Sequence, residues 1–258
     1  SVLVESLVAL VSEKFPLLRF TLASNKLSVA YFNLKDVPPP DKLKIVLLFL
    51  ITTLSFAQNV NRKFIEIERL SSGFSVRVSD GYYLVTFLND KIIETSFIPN
   101  GEKNNYTSEA VVLKAKLKDI SFKENINSIE CYSKSNNLKI VIQKSPFKIS
   151  YFNNNEEILS VKLGYQKRKH IPLENVKGNI VYDSTEVLQF NITPDEVLYG
   201  GGSRALGMNR RGNRLALYNR AQYGYETRAE LMNFCIPVVL SSKLYAVHFD
   251  NAAIGYLD

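Results

Sequence analysis

Apolar and polar residues alternate along most of this chain with a period of two, the repeat of a strand that buries one face. Phe74-Ser-Val-Arg-Val78 alternates, and Tyr82-Tyr-Leu-Val-Thr-Phe87 follows Asp80-Gly81, a dipeptide that marks a hairpin between such runs. Two more strands are expected at Lys91 to Ile98 and at Ala110 to Leu117. Ser128-Ile-Glu-Cys-Tyr132, Leu138-Lys-Ile-Val-Ile142, Phe147-Lys-Ile-Ser-Tyr151 and Ile158-Leu-Ser-Val161 repeat the pattern. Turns separate them at Ser135-Asn-Asn137, Ser145-Pro146 and Asn153-Asn-Asn155. Val187-Leu-Gln-Phe-Asn-Ile192 continues the series beyond a long basic connection. No convincing amphipathic helix and no repeat of solenoid length interrupts it. The expected fold class is all-β, an antiparallel β-sandwich.

A different pattern precedes these strands. Lys42-Leu-Lys44 leads into the apolar run Ile45-Val-Leu-Leu-Phe-Leu-Ile51, then Thr52-Thr-Leu54, then Ser55-Phe-Ala57 before Gln58. A positive start, a short apolar stretch and a small-x-small site together read as a signal peptide over residues 42–57. The run is shorter than the ~20 apolar residues of a membrane-spanning helix, so no transmembrane segment is expected. Ser1 opens the chain and Met208 and Met232 are its only methionines, which fits an upstream segment, residues 1–41, outside the mature protein. The domain would then occupy residues 58–258, with the mature N-terminus near Gln58 and a secreted or periplasmic location.

Composition agrees with a folded domain: the hydrophobic fraction is 46% and the charged fraction 22%, close to globular usage. Roughly two hundred residues after Gln58 suffice for one large all-β domain. The net charge of +7 raises a nucleic-acid reading, but the basic residues are spread among carboxylates and form no stripe, so no nucleic-acid partner is expected. Lys167-Arg-Lys-His170, the densest basic run, reads as a solvated hairpin tip. Cys131 and Cys235 make no disulfide framework and read as buried free thiols.

Chemistry concentrates in the last sixty or so residues. Gly200-Gly-Gly202 lacks the Gly-Lys-Ser/Thr of a phosphate cradle, and what three glycines supply after a strand is a sharp, close turn with φ values other residues avoid. His170 and His248 have no partners at metal-ligand spacing, so neither a metal nor a cofactor is expected, and His248 reads as structural. Arg210, Arg211, Arg214, Tyr218, Asn219, Arg220, Tyr223 and Tyr225 mix planar donors with aromatic faces. Sugars are bound by such groups, since ring faces stack on aromatics and hydroxyls need fixed partners, although the same mixture occurs at inter-domain surfaces.

Leu198-Tyr-Gly-Gly-Gly202, Asn209-Arg-Arg-Gly212, Leu217-Tyr-Asn219, Asn233-Phe-Cys-Ile-Pro-Val238 and Ser241-Ser-Lys-Leu-Tyr-Ala-Val-His-Phe-Asp-Asn251 follow one another in a specific order. In this order the segment from Val197 to Asp258 resembles the end of the N-terminal β-sandwich of glycoside hydrolase family 31, which includes α-glucosidases, α-xylosidases and α-galactosidases. The resemblance implies a sandwich of the galactose-mutarotase-like type, followed by a catalytic (β/α)8 barrel in cis. That barrel carries an aspartate nucleophile and an aspartate acid/base for a retaining double displacement, so no catalytic residue falls within this chain. It also implies a loop reaching the active-site rim, where an acidic residue after an Asn/Ser-Arg pair contacts substrate. Here Asn219-Arg220 is followed by Ala221, and the carboxylate is missing. Glu226 is the candidate replacement; otherwise specificity differs from a plain α-glucosidase, with an α-galactoside as a competitor. Arg220, Tyr223, Tyr225 and Glu226 are the expected substrate-binding residues, and an α-linked oligosaccharide or glycoside is the expected partner. The alternative from another class is a stand-alone carbohydrate-binding or cell-surface β-sandwich without catalytic activity.

Overall fold

The computed structural model describes residues 17–22, 62–104, 108, 110–111, 120–133, 138–174, 179–219, 221, 223–224, 226, 232–251 and 253–258. Among them there is no helix, and hence none long and apolar enough to cross a membrane. The alternating runs become two facing sheets. The larger has eight strands in the spatial order Leu198–Gly200 (β12), Val238–Ser241 (β14), Ala246–Phe249 (β15), Leu17–Leu22 (β1), Ile92–Pro99 (β5), Gly81–Asn89 (β4), Gly73–Val78 (β3) and Phe64–Leu70 (β2). The smaller has six in the order Ile180–Asn191 (β11), Glu156–Glu174 (β10), Lys148–Asn153 (β9), Leu138–Gln143 (β8), Ser128–Ser133 (β7) and Ile120–Glu124 (β6). A two-stranded sheet, Leu215–Leu217 (β13) with Gly255–Leu257 (β16), completes the set.

Alternation places the core. Phe74, Val76 and Val78 of β3, Tyr83, Val85 and Phe87 of β4, and Ile93 and Phe97 of β5 turn toward the second sheet. There they meet Ile129 and Cys131 of β7, Leu138, Ile140 and Ile142 of β8, and Ile149 and Tyr151 of β9. Each fully buried side chain of this size contributes about 1.5–3 kcal/mol relative to exposure. Rings lock the two layers together: Phe97 stacks on Tyr165 of β10 at 4.8 Å, and Phe74 meets Phe122 of β6 edge-on at 5.9 Å. Tyr151, the largest wholly buried side chain, shares a 2.8 Å hydrogen bond with Thr95, so its hydroxyl is not stranded in the apolar interior.

A buried arginine ties the start of β2 into this core. Arg62 donates from Nε and Nη2 to both carboxylate oxygens of Asp80 at 2.7 Å and from Nη2 to the carbonyl of Tyr165 at 2.8 Å. Nη1 donates to the Tyr83 hydroxyl, and the guanidinium lies 4.6 Å over the Phe97 ring. A planar donor fork suits this place, because three elements converge there and leave several acceptors without sheet partners.

Several expectations change. Lys167-Arg-Lys-His170 is not a hairpin tip but part of the interior of β10: Lys167 and Arg168 pair in register with Glu186 and Thr185 of β11, and a register shift follows before Ile171. Lys167 lies opposite Glu186 and also approaches Glu102 at 3.6 Å, so cross-strand carboxylates make a basic run compatible with a strand. Within the long basic connection β10 runs on to Glu174, and β11 begins at Ile180 instead of Val187. Ala110 and Val111 are outside any strand, and the rest of the expected strand to Leu117 lies outside the described residues. The hairpin at Asp80-Gly81 forms, but Gly81 already belongs to β4. A Cβ there would sit 2.3 Å from the Ile98 carbonyl oxygen, so the glycine serves close approach to β5 instead of a left-handed turn. Cys131 is buried and Cys235 only half-buried; both are free thiols. Leu17–Leu22, within the segment expected to precede a secretion signal, supplies a strand of the large sheet. Residues 42–57 lie outside the described residues.

Candidate functional site

The triglycine turn builds the base of the site. Gly200, Gly201 and Gly202 have φ of 103°, 75° and 87°, a succession that residues with a Cβ adopt only under strain. Space is as restrictive as the dihedrals. A Cβ on Gly200 would come within 2.3 Å of the Val238 carbonyl oxygen, and one on Gly202 within 2.6 Å of the Cys235 Cα. The turn therefore lets β12 lie directly against the backbone of residues 235–238.

Four arginines hold the irregular chain that follows. Arg204, 7% exposed, donates to the carbonyl of Gly201 at 2.9 and 3.1 Å and to that of Ala216. Arg210 donates to the carbonyls of Gly200 at 3.1 Å, Leu206 at 3.2 Å and Gly207 at 2.8 Å. Arg211 donates to those of Thr193 and Glu196. Arg214 lies 3.9 Å over the Tyr256 ring. Backbone that leaves a sheet needs other hydrogen-bond partners, and the guanidinium groups of Arg204, Arg210 and Arg211 supply them. Arg210, Arg211 and Arg214, which the sequence offers as ligand donors, are thus engaged within the fold.

A buried carboxylate closes the same corner. Glu196, 2% exposed, accepts from the Ser241 hydroxyl at 2.6 Å, from the Tyr245 hydroxyl, and from the Thr193 backbone N–H at 3.0 Å. Burial, followed by the neighbouring Glu196 carboxylate, pushes the Tyr245 hydroxyl up, keeping it protonated as a donor.

At this base the chain enters and leaves the loop expected to meet substrate. Asn219 Oδ1 accepts the Cys235 backbone N–H at 2.6 Å, the Ser203 N–H donates to the Phe234 carbonyl at 3.1 Å, and the Ser203 hydroxyl reaches the Met232 sulfur at 3.5 Å. Tyr223 is 93% exposed and Glu226 is also exposed, while Arg220 and Tyr225 lie outside the described residues. Met208 and Phe234 add exposed apolar surface. The geometry anchors the base of the loop and presents Tyr223 and Glu226 to solvent. Among the described residues no group of His, Cys, Asp or Glu side chains converges as metal ligands would, and His248 is buried in β15.

A cavity that the linear pattern does not announce lies close by. Largely apolar and about 320 Å³ in volume, it opens between the ends of the sheets and is lined by Phe190, Tyr199, Val247, Phe249 and Tyr256 together with Arg210. Its walls come from β11, β12, β15 and β16 and from the arginine turn, so no local motif could reveal it. Two of its lining rings, Phe190 and Phe249, approach each other at 6.2 Å between centroids.

Residues 83–258 match the family model described as the glycosyl hydrolase 31 N-terminal galactose mutarotase-like domain. The chain belongs to this family. Solved structures carry the same sandwich. A family 31 dextranase from Flavobacterium johnsoniae, complexed with glucose, aligns over 76% of this chain and 23% of its own, with a TM-score of 0.60 at 17% identity. The α-xylosidase of Xanthomonas citri aligns over 72% of this chain and 19% of its own, with a TM-score of 0.53 at 19% identity. The α subunit of a glucosidase II aligns over 77% and 28%, with a TM-score of 0.55 at 13% identity. At such identities the likeness establishes the fold, and the chain spans about a quarter of the length of the dextranase. No curated protein sequence matches the chain. The glycine turn, the arginine-held segment and the base of the loop all fall within the part matched by the family 31 model.

Proposed function

We propose that this family 31 domain is the non-catalytic N-terminal sandwich of a secreted, retaining α-glycosidase that acts on α-linked glycosides. Its contribution to catalysis is positional: the loop between Asn219 and Cys235 supplies part of the substrate rim. The observation that carries this reading is Tyr223, 93% exposed on a loop whose two ends are joined by the Asn219 hydrogen bond. An aromatic face and a nearby carboxylate, Glu226, are the two group types a sugar ring needs, one for its apolar face and one for its hydroxyls. The names of the structural relatives, a dextranase bound to glucose and an α-xylosidase, support an α-glycoside as substrate. Bond cleavage itself belongs to paired carboxylates of a barrel joined to this domain, one attacking the anomeric carbon and the other protonating the leaving oxygen. Secretion rests on the leader pattern of residues 42–57, and the mature chain is expected to begin near Gln58.

The test is kinetic. Arg220→Ala and Glu226→Gln in the full-length protein should lower kcat/KM for α-glycosides, and unchanged values for both would remove the loop from the mechanism. N-terminal sequencing of secreted material addresses the leader; a mature start near Ser1 would overturn it. If the reading frame closes soon after Asp258, hydrolysis by this mechanism is excluded and sugar binding alone becomes the function.

A further inference from the structure

The large sheet is antiparallel everywhere except at one strand. β1 runs parallel to both neighbours, pairing Leu17–Leu22 with residues 92–97 of β5 and Leu17–Phe20 with residues 246–249 of β15. Both walls of this gap are buried on both faces. Ile93, Phe97 and Val247 belong to the core between the sheets, whereas Ile92 and Ala246 pack with Leu88 in a second apolar cluster. Ile98, next along β5, is wholly buried as well. Without a strand between them, β5 and β15 would each leave a row of backbone N–H and C=O groups unpaired at buried positions, which is costly for every group. A parallel partner cannot arrive through a tight turn, and here residues 23–63 separate it from β2.

We propose that the gap between β5 and β15 is a strand-acceptor slot whose ligand is an extended apolar segment lying parallel to both walls, with Leu17-Leu-Arg-Phe-Thr-Leu22 as its occupant. Recognition is by main-chain pairing along both edges, as in other complexes that add a strand to a sheet. The pairing and burial of β5 and β15 carry this assignment independently of the glycosidase reading. It bears on processing, because a chain cut between Ala57 and Gln58 loses this strand but keeps the slot, which can then take the same segment in trans.

The experiment uses the 258-residue chain and its Phe20→Pro variant, with amide hydrogen exchange read at residues 92–97 and 246–249. In a strand paired on both sides each backbone N–H is used, so proline breaks the ladder. Protection of these amides should fall about 100-fold in the variant. A synthetic peptide of residues 15–24 should restore it, and the same peptide with the proline should not. Unchanged protection in the variant overturns the proposal. So does a loss, local or global, that the peptide fails to reverse.

Discussion

Asn219 and Cys235 are joined across the base of the exposed loop by a 2.6 Å hydrogen bond from the Cys235 backbone N–H to the Asn219 side-chain oxygen. Asn219 ends the short segment that begins with β13, and Cys235 precedes β14, so this bond fixes where the intervening chain leaves and rejoins the sandwich. An asparagine carbonyl suits the task because it accepts without adding charge beside the half-buried Cys235 thiol.

Removing that acceptor should loosen the loop more than the domain. Asn219→Leu is expected to cost about 1 kcal/mol in urea unfolding while exposing the Cys235 amide to rapid exchange. Asn219→Asp keeps an acceptor oxygen and should preserve slow exchange. Equal exchange rates in both variants would show that the bond does not hold the loop.

Two glycines with positive φ separate dihedral strain from collision. Gly212, φ 75°, has open space for 4 Å around the position a Cβ would take, so Gly212→Ala should cost only the left-handed penalty of about 1–2 kcal/mol. Gly202, φ 87°, adds a contact of 2.6 Å with the Cys235 Cα, backbone that cannot swing aside. Gly202→Ala should therefore destabilise by more than ~3 kcal/mol, strain and overpacking together, in denaturant titrations. Similar losses for the two variants would contradict the close packing of the turn.

Alkaline conditions should unfold the sandwich through its buried tyrosines. Burial pushes the Tyr83 hydroxyl from 10 up to about 12, against the opposing pull of the Arg62 guanidinium. The folded state holds this proton more tightly than the unfolded chain, so the stabilisation is complete below pH 10 and is lost as pH rises toward 12. The shift corresponds to roughly 2–3 kcal/mol. Burial raises Tyr151 and Tyr165 in the same direction. Stability measured between about pH 9 and 12 should decline, and Tyr83→Phe should make the decline shallower even though it also removes a partner of Arg62. An identical slope in wild type and variant would count against Tyr83 as a contributor.

Strand content and the inward-facing residues of β3, β4, β7 and β8 were legible in the chain because a period-two pattern is local: each residue's face follows from its neighbours. The triglycine turn was legible for a similar reason, since only glycine tolerates three successive positive φ values. The loop with Tyr223 and Glu226 could be located through the ordered motifs around it, but not its anchoring. Arg210 and Arg211 illustrate the limit. A guanidinium next to an asparagine reads equally as a sugar donor or as a staple, and only the folded chain shows their donors turned back to the carbonyls of Gly200, Gly207 and Glu196.

By itself the sequence determined that this protein is an all-β sandwich with a glycine-built turn, because dihedral preference and side-chain alternation act between near neighbours. Tertiary structure alone decided that Lys167 lies opposite Glu186 within a long strand, that Glu196 is buried beneath Ser241 and Tyr245, and that Leu17–Leu22 pairs with β5 and β15. Those relationships join residues far apart in the chain, where pairing is chosen by the burial of distant backbone and charge, a condition no local pattern records.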